Sequence, residues 1–308
     1  MSENWTAKNI PDLKGKVIII TGANSGIGYE ATKEFARKGA QIIMACRSVD
    51  KAQAALTKIQ AEIPGAPAEI IHLDLASQKS VRKFAEAFMA KYDRLDILLN
   101  NAGIMAIPYA KTADGFEKQL GTNHLGHFAL TGLVIDLVLK TPDSRVVNIS
   151  SNAHRFGSLD FGNLMFEEGK DYSRMQAYGR SKLANLLFTY ELQRRFESAG
   201  ANAIAIAAHP GISATNLANH FAPDWFFNIF MPLFSRMTQS AAMGALPSIR
   251  AAVDPDISGG EYFGPDGPKE RKGYPVLVKS NEASHNKADA KQLWDQSEAL
   301  TKVSFMEA

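Results

Sequence analysis

Cysteine is almost absent from this chain of 308 residues: Cys46 stands alone. That excludes an intramolecular disulfide framework and a multi-cysteine metal centre, and it fits a reducing compartment. An excess of charge of one sign is also missing. Thirty-four Lys and Arg against 32 Asp and Glu leave a formal +2, too balanced a field to draw nucleic acid or an acidic membrane. Long hydrophobic runs are missing as well. The most apolar stretch, Trp225 to Phe234, is interrupted by Pro232 and falls far short of the ~20 residues a membrane span needs. No apolar core of a signal peptide is visible between Met1 and Lys16. These absences lead to the expectation of a cytoplasmic protein with no transmembrane segment and no nucleic-acid partner. Repeats, low-complexity tracts and linkers are likewise absent. With 45% hydrophobic residues the chain can bury a sizeable core.

What is present is an alternation of apolar strands and amphipathic helices. Lys16–Thr21, Ala40–Cys46, Glu69–Leu73, Leu95–Asn100, Arg145–Ile149 and Ala203–Ile206 are short, apolar and mostly β-branched, as buried strands are. Between them Ile27–Lys38, Lys51–Ile63, Ser80–Tyr92, Phe116–Leu139 and Met175–Ala199 carry helical spacing, with stops such as Gly39 and Pro64-Gly65. Such alternation predicts parallel βαβ units: an α/β fold, a single Rossmann-type doubly wound sheet in three αβα layers. Ligands bind such sheets at the carboxyl ends of the strands.

The chemistry-bearing motifs fall just after strands. Thr21-Gly22-Ala23-Asn24-Ser25-Gly26-Ile27-Gly28 follows the first strand and opens a helix. Its glycines permit a tight turn and close approach of a pyrophosphate, and the helix supplies free N–H groups. The same glycines would serve a plain turn; their place between strand and helix favours nucleotide binding. Arg47 ends the second strand, where an acidic residue would select NAD and a cation suits the 2′-phosphate of NADP. A solvated surface arginine is the competing reading. Asp74, beside Leu75, is placed to accept from an adenine amine or to cap the helix that follows. Tyr178 and Lys182, at i and i+4, share one helix face, where an ammonium would lower the phenol pKa. His124 and His127 lack a third ligand, so no metal site is expected; Cys46 reads as a buried apolar residue.

Taken in order, Thr21–Gly28, Asn100-Asn101-Ala102-Gly103, Asn123, Ser150-Ser151 and Tyr178/Lys182 resemble the signature of the short-chain dehydrogenases/reductases over nearly the whole chain. The resemblance implies that Tyr178 is the acid in reduction and the base in oxidation. It implies that Lys182 lowers the Tyr178 pKa and binds the nicotinamide ribose. Ser151 would hold the substrate oxygen, with Ser150 the alternative, since one register slip exchanges them. Asn123 would hold a water in a proton relay. Gly22, Asn24, Ser25, Gly26, Ile27 and Gly28, with Asn101, Ala102 and Gly103, would line the cofactor site. Pro210, Gly211 and Ile212 would lie near the nicotinamide and Thr215 at its carboxamide or phosphate. The cofactor expected is NADP(H), with NAD less favoured.

Ser151 and Tyr178 are 27 positions apart, about twice the usual family spacing. The extra residues, roughly Arg155 to Arg174, together with Ser181–Asn185, Glu261–Gly267 and Gln292–Ser297, resemble the retinol dehydrogenase and protochlorophyllide reductase-like branch. Retinol dehydrogenases of animals usually carry an N-terminal membrane anchor, which is not visible here, and the site cysteines of protochlorophyllide reductases are missing. The aromatic-rich segment Phe221 to Met237 follows Pro210-Gly211 and favours a lipophilic substrate, unless it is core, a subunit contact or a membrane-touching surface. Residues 1–308 are read as one domain, with 208–260 a substrate loop or lid region and 268–308 a C-terminal extension. The expected activity is interconversion of a lipophilic aldehyde or ketone and its alcohol. Alternatives are reduction of a C=C bond or large ring, and a non-catalytic NADP(H)-binding sensor or scaffold. The helices Phe116–Leu139 and Met175–Ala199 offer surfaces for a homodimer.

Overall fold

The three isoleucines Ile18, Ile19 and Ile20 have no measurable exposure, because a strand of β-branched residues at the middle of a parallel sheet is covered on both faces. They belong to β1 (Val17–Thr21), the centre of an eight-stranded sheet. In the computed structural model, which describes residues 4–212 and 238–306, the other strands are β2 (Gln41–Cys46), β3 (Ala68–His72), β4 (Ile97–Asn100), β5 (Ser144–Ile149), β6 (Ala203–Ala208), β7 (Tyr262–Pro265) and β8 (Pro275–Leu277). Their spatial order is β3-β2-β1-β4-β5-β6-β7-β8. All neighbours run parallel except β7 and β8. The chain winds outward from β1 to β3, then restarts at β4 on the other side of β1. The carboxyl ends of β1 and β4, Thr21 and Asn100, therefore flank the switch point, where such sheets open a crevice.

Two hydrophobic clusters cover the two faces. One joins α1 (Gly26–Arg37) and α2 (Val49–Glu62) through Phe35 and Ile59 to the sheet. The other gathers α3 (Gln78–Met89), α4 (Gly126–Lys140) and α5 (Arg174–Ser198) around Phe84, Phe128 and Phe188. The sheet with its helical layers is thus the doubly wound fold expected.

Three departures matter. First, the strand alternation continues past β6: α6 (Ala241–Val253) packs with its Ala245 and Ile249 in the first cluster, and α7 (Lys287–Thr301) buries Trp294 in the second. Residues 241–253, within the stretch read as a lid region, are a core-facing helix. Second, β7 and β8 are short, Gly- and Pro-containing, and carry no period-2 signal. Third, the helical stretch expected over Phe116–Leu139 is present but changes its hydrogen-bond pattern partway. A short turn at Lys118–Leu120 leads into a π-helical turn, Gly121–Leu125, where Gly126 N–H bonds Gly121 O. Gly126 is required there because a Cβ would lie 2.5 Å from Leu75 O, so the helix start is pressed against the turn after β3.

Candidate active site

The glycine-rich turn is locked by a side chain at the end of β1. The Thr21 hydroxyl accepts hydrogen bonds from Asn101 N and Ala102 N, each at 2.9 Å, and lies 2.9 Å from His127 Nε2. His127 Nδ1 faces the Asn123 carbonyl at 2.9 Å; a carbonyl only accepts, so Nδ1 carries the proton and Nε2 accepts from Thr21. One buried histidine therefore ties β1, the Asn101 turn and the π-helical turn together. In the sequence His127 stands out only as a metal-ligand candidate without a third partner. Burial holds His127 neutral, with its pKa pushed down to about 4.

At Gly28 a Cβ would lie 2.5 Å from Gly22 O and 2.6 Å from Asn101 Nδ2, so only glycine lets α1 begin this close to β1. Ser25, at the N-cap of α1, makes no capping hydrogen bond to the helix. This helix end, whose first N–H groups have no intrahelical partner, lines a cleft of about 350 Å³. The cleft runs from Arg47, Ser48 and Lys51 past the Gly22–Gly28 turn, Asp74, Leu75 and Asn101–Gly103 to Tyr178, Lys182 and Pro210. Ser48 and Lys51 were missed at the level of sequence, because their spacing from Arg47 carries no motif. A dinucleotide with a 2′-phosphate fits this donor set: two exposed cations at one end, a helix N-terminus in the middle and a buried Tyr/Lys pair at the other. Asp74 also accepts from Ala76 N at 3.0 Å, while the cap of α3 is Ser77, not Asp74.

The deep end of the cleft is buried. Tyr178 and Lys182 are 7% and 4% exposed. Lys182 Nζ donates to Ile149 O at 3.0 Å and stands 5.7 Å from the centre of the Tyr178 ring. Burial pushes the Tyr178 phenol up to about 12, against the downward pull of its hydrogen bond with Ser151. Burial also pushes Lys182 down to about 8. In the protein by itself desolvation of the phenolate dominates, with the Lys182 ammonium aimed at Ile149 O.

Of the two serines, Ser150 is the one in the cleft lining, but it is buried and donates to Lys182 O at 2.9 Å. Ser151 is half-buried and is the one that reaches Tyr178. Asn123 is buried, with its side chain bonded to the main chain and to a serine. Its Oδ1 accepts from Ile104 N at 2.8 Å, and its Nδ2 donates to Ile104 O and Ser181 Oγ, each at 2.9 Å. Both amide hydrogens are used, while Oδ1 and the main-chain carbonyl bonded to His127 each keep a second lone pair, so the expected relay water still has an acceptor here.

The residues between Ser151 and Tyr178 fold back onto α5. Arg180, buried beside Tyr178, donates to Ser158 O, Asn163 O and Leu164 O at 3.1, 2.7 and 2.8 Å, and lies 3.8 Å from the centre of the Phe166 ring. Tyr172 closes the segment onto the Ile107 carbonyl at 2.9 Å and onto Gln119.

On the far side of the cleft Gly211, at φ +63°, turns the chain so that Ile212 N donates to Arg271 O at 2.7 Å. Gln239 Nε2 donates to Pro210 O at 2.8 Å. Gly211 and Ile212 lie beyond the cleft lining. Thr215 and Phe221–Met237 lie outside the described residues. Among the described residues no helix is long and apolar enough to cross a membrane, and no group of three His, Cys, Asp or Glu side chains could hold a metal.

The sequence profile described as short chain dehydrogenase matches residues 16–163. Human retinol dehydrogenase 12 is 44% identical over 253 residues, covering 82% of this chain and 78% of its own. Human retinol dehydrogenase 13 is 40% identical over 293 residues, covering 94% and 85%. Among solved structures, an uncharacterized protein from Mycobacterium paratuberculosis superimposes with a TM-score of 0.82 at 41% identity, over 98% of this chain and 99% of that one. A short chain dehydrogenase from Shigella flexneri complexed with NADP shares the fold, with a TM-score of 0.64 at 22% identity over 82% and 98%.

Proposed function

The chain belongs to the short-chain dehydrogenase family, in its retinol dehydrogenase-like branch, and from that premise we propose that it is an NADP(H)-dependent carbonyl reductase and alcohol dehydrogenase for lipophilic substrates. The observation that carries the reading is one continuous cleft with Arg47 and Lys51 at its mouth and the buried Tyr178/Lys182 pair at its end.

Arg47 and Lys51 hold the 2′-phosphate, and the α1 N-terminus with the Gly22–Gly28 turn holds the diphosphate. Lys182 holds the nicotinamide ribose. The reduced nicotinamide, when bound, supplies a hydride to the carbonyl carbon. The chain's own residues do the rest. Ser151 donates a hydrogen bond to the substrate oxygen and orients it toward Tyr178. A phenol with its pKa pushed up to about 12 keeps its proton at neutral pH, so Tyr178 stands ready to protonate the oxygen as the alcohol forms. Lys182, at about 8, is still mostly an ammonium at pH 7 and offsets the phenolate left behind. In the oxidative direction the same groups run in reverse. An apolar substrate is supported by Phe156, Met175 and Ile212, large hydrophobic groups left 52%, 38% and 38% exposed, which lie outside the cleft lining but within five residues in sequence of Ser151, Tyr178 and Pro210.

NADPH consumption across aldehydes and ketones of graded chain length and ring size tests this reading. Catalytic efficiency is expected to rise with apolar size. A silent panel with NADPH binding measured in parallel would make the protein a binder rather than an enzyme. Arg47→Asp should move preference from NADP toward NAD, and unchanged discrimination in kcat/KM would remove Arg47 as the reader of the phosphate.

A further inference from the structure

His209 ends the segment from β6, directly before Pro210, and its side chain is sealed from solvent. Gly211 N donates to its Nδ1 at 3.3 Å, which leaves the proton on Nε2. Nε2 lies 3.1 Å from Glu270 Oε2. The contact is close but not directed as a hydrogen bond, since neither atom has a hydrogen-bond partner among the described groups, the other of the pair included. Burial lowers the His209 pKa and keeps the ring neutral. Gly264 exists as glycine because a Cβ would run into the His209 ring.

Glu270 is brought there by an unusual turn between β7 and β8. Both Lys269 and Glu270 take positive φ, +55° and +53°, a conformation that side chains avoid and that persists only where neighbours enforce it. The neighbours come from the turn that begins at Ser151. Asn152 Nδ2 donates to Lys269 O and Glu270 O, each at 3.3 Å, and Arg155 donates to Glu270 Oε1 at 3.0 Å. The Glu270 carboxylate thus has one oxygen on each wall of the cleft: Oε1 toward the Ser151 turn, Oε2 toward the Pro210 turn.

We propose that Glu270 is a positioning residue which, by bridging Arg155 and His209, makes the Ser151 turn and the Pro210 turn move as one unit about the reacting carbonyl. The function rests on the carbonyl-reductase reading above, while the mechanical claim does not. Small displacements of reacting groups are enough to matter: ~1 Å of misplacement can cost ~100-fold in rate.

The test compares Glu270→Ala, Arg155→Ala, the double variant and Arg155→Lys in the full chain. Hydrogen exchange without substrate reads the mechanical claim. Exchange is expected to quicken at residues 151–157 and 209–212 in Glu270→Ala and to stay unchanged at residues 22–28. In turnover, Glu270→Ala should lower kcat by ~10-fold while the dissociation constant for NADPH stays within ~3-fold, Arg155→Lys should restore most of what Arg155→Ala loses, and the double variant should be no slower than Glu270→Ala, because contacts acting as one unit are not additive. Unchanged exchange in the two turns overturns the proposal whatever the enzyme does. Losses that multiply in the double variant, or a kcat within ~2-fold of the parent in Glu270→Ala, overturn it as well. Quickened exchange with no activity in the parent chain would instead count against the carbonyl-reductase reading and leave the bridge standing.

Discussion

Replacing Arg180 with alanine should detach the segment between Ser151 and Tyr178 from the helix that carries Tyr178. Arg180 is 3% exposed and satisfies three main-chain carbonyls of that segment, while its guanidinium stacks on Phe166. The carbonyls do not suffer equally. Ser158 is exposed and Asn163 half-buried, so water can replace the lost donor there. Leu164 is buried, and its orphaned carbonyl would cost ~1–3 kcal/mol. Loss of the stack adds ~1–2 kcal/mol. Against this, removing a buried guanidinium relieves its desolvation, which already lowers its pKa. The balance is a net destabilisation of ~2–4 kcal/mol, or ~5–10 °C in melting midpoint for a domain of this size. Arg180→Lys should recover only part of it, since an ammonium cannot form the planar fork or stack. Thermal melts give the stability, and steady-state kinetics with a long-chain aldehyde should show KM rising more than kcat falls. A midpoint within ~2 °C of the parent, with KM unchanged, would refute the view that Arg180 is the strut of this segment.

Two further outcomes follow from the same geometry. Gly28→Ala places a methyl against Gly22 O and Asn101 Nδ2, so NADPH affinity should fall by at least ~10-fold because the phosphate turn must shift, read by fluorescence titration; retained affinity would mean the turn is not the cradle. His124 and His127 have pKa values pushed down to about 3 and about 4, mainly by burial. Between those values and the ordinary 6.5 the unfolded chain binds protons that the folded chain does not, so stability is lost as pH falls, by up to ~1.4 kcal/mol per pH unit for each histidine. Melting midpoints should decline steadily from pH 6.5 to 4, and His124→Phe should flatten the decline; an identical slope in that variant would exclude His124 as a source.

The sheet as far as β6 could be read from the sequence because its strands are short apolar runs alternating with amphipathic helices. The last two strands could not, since Tyr262–Pro265 and Pro275–Leu277 draw their identity from pairing partners rather than from any local pattern. The π-helical turn at Asn123 was hidden for a related reason: its residues have ordinary helical spacing, and the turn opens because Gly126 packs on the carbonyl of Leu75. The Tyr178/Lys182 pair was legible from spacing, but its electrostatics were not. Spacing puts two groups on one face; only the fold tells that both are buried and that the ammonium points to Ile149 O. His127, Arg180 and Glu270 carry no motif. Each acts across long sequence separations, on Thr21, Leu164 and His209 respectively.

The account turns on Tyr178 as the proton donor, and Tyr178→Phe tests it most directly. The phenol is buried within the cleft and its removal leaves the Arg47 end and the Gly22–Gly28 turn intact. Turnover of the best carbonyl substrate should fall by ~100-fold or more, the usual range for a lost general acid, while the dissociation constant for NADPH stays within ~3-fold. Turnover within ~10-fold of the parent, with the cofactor still bound, would contradict the central claim.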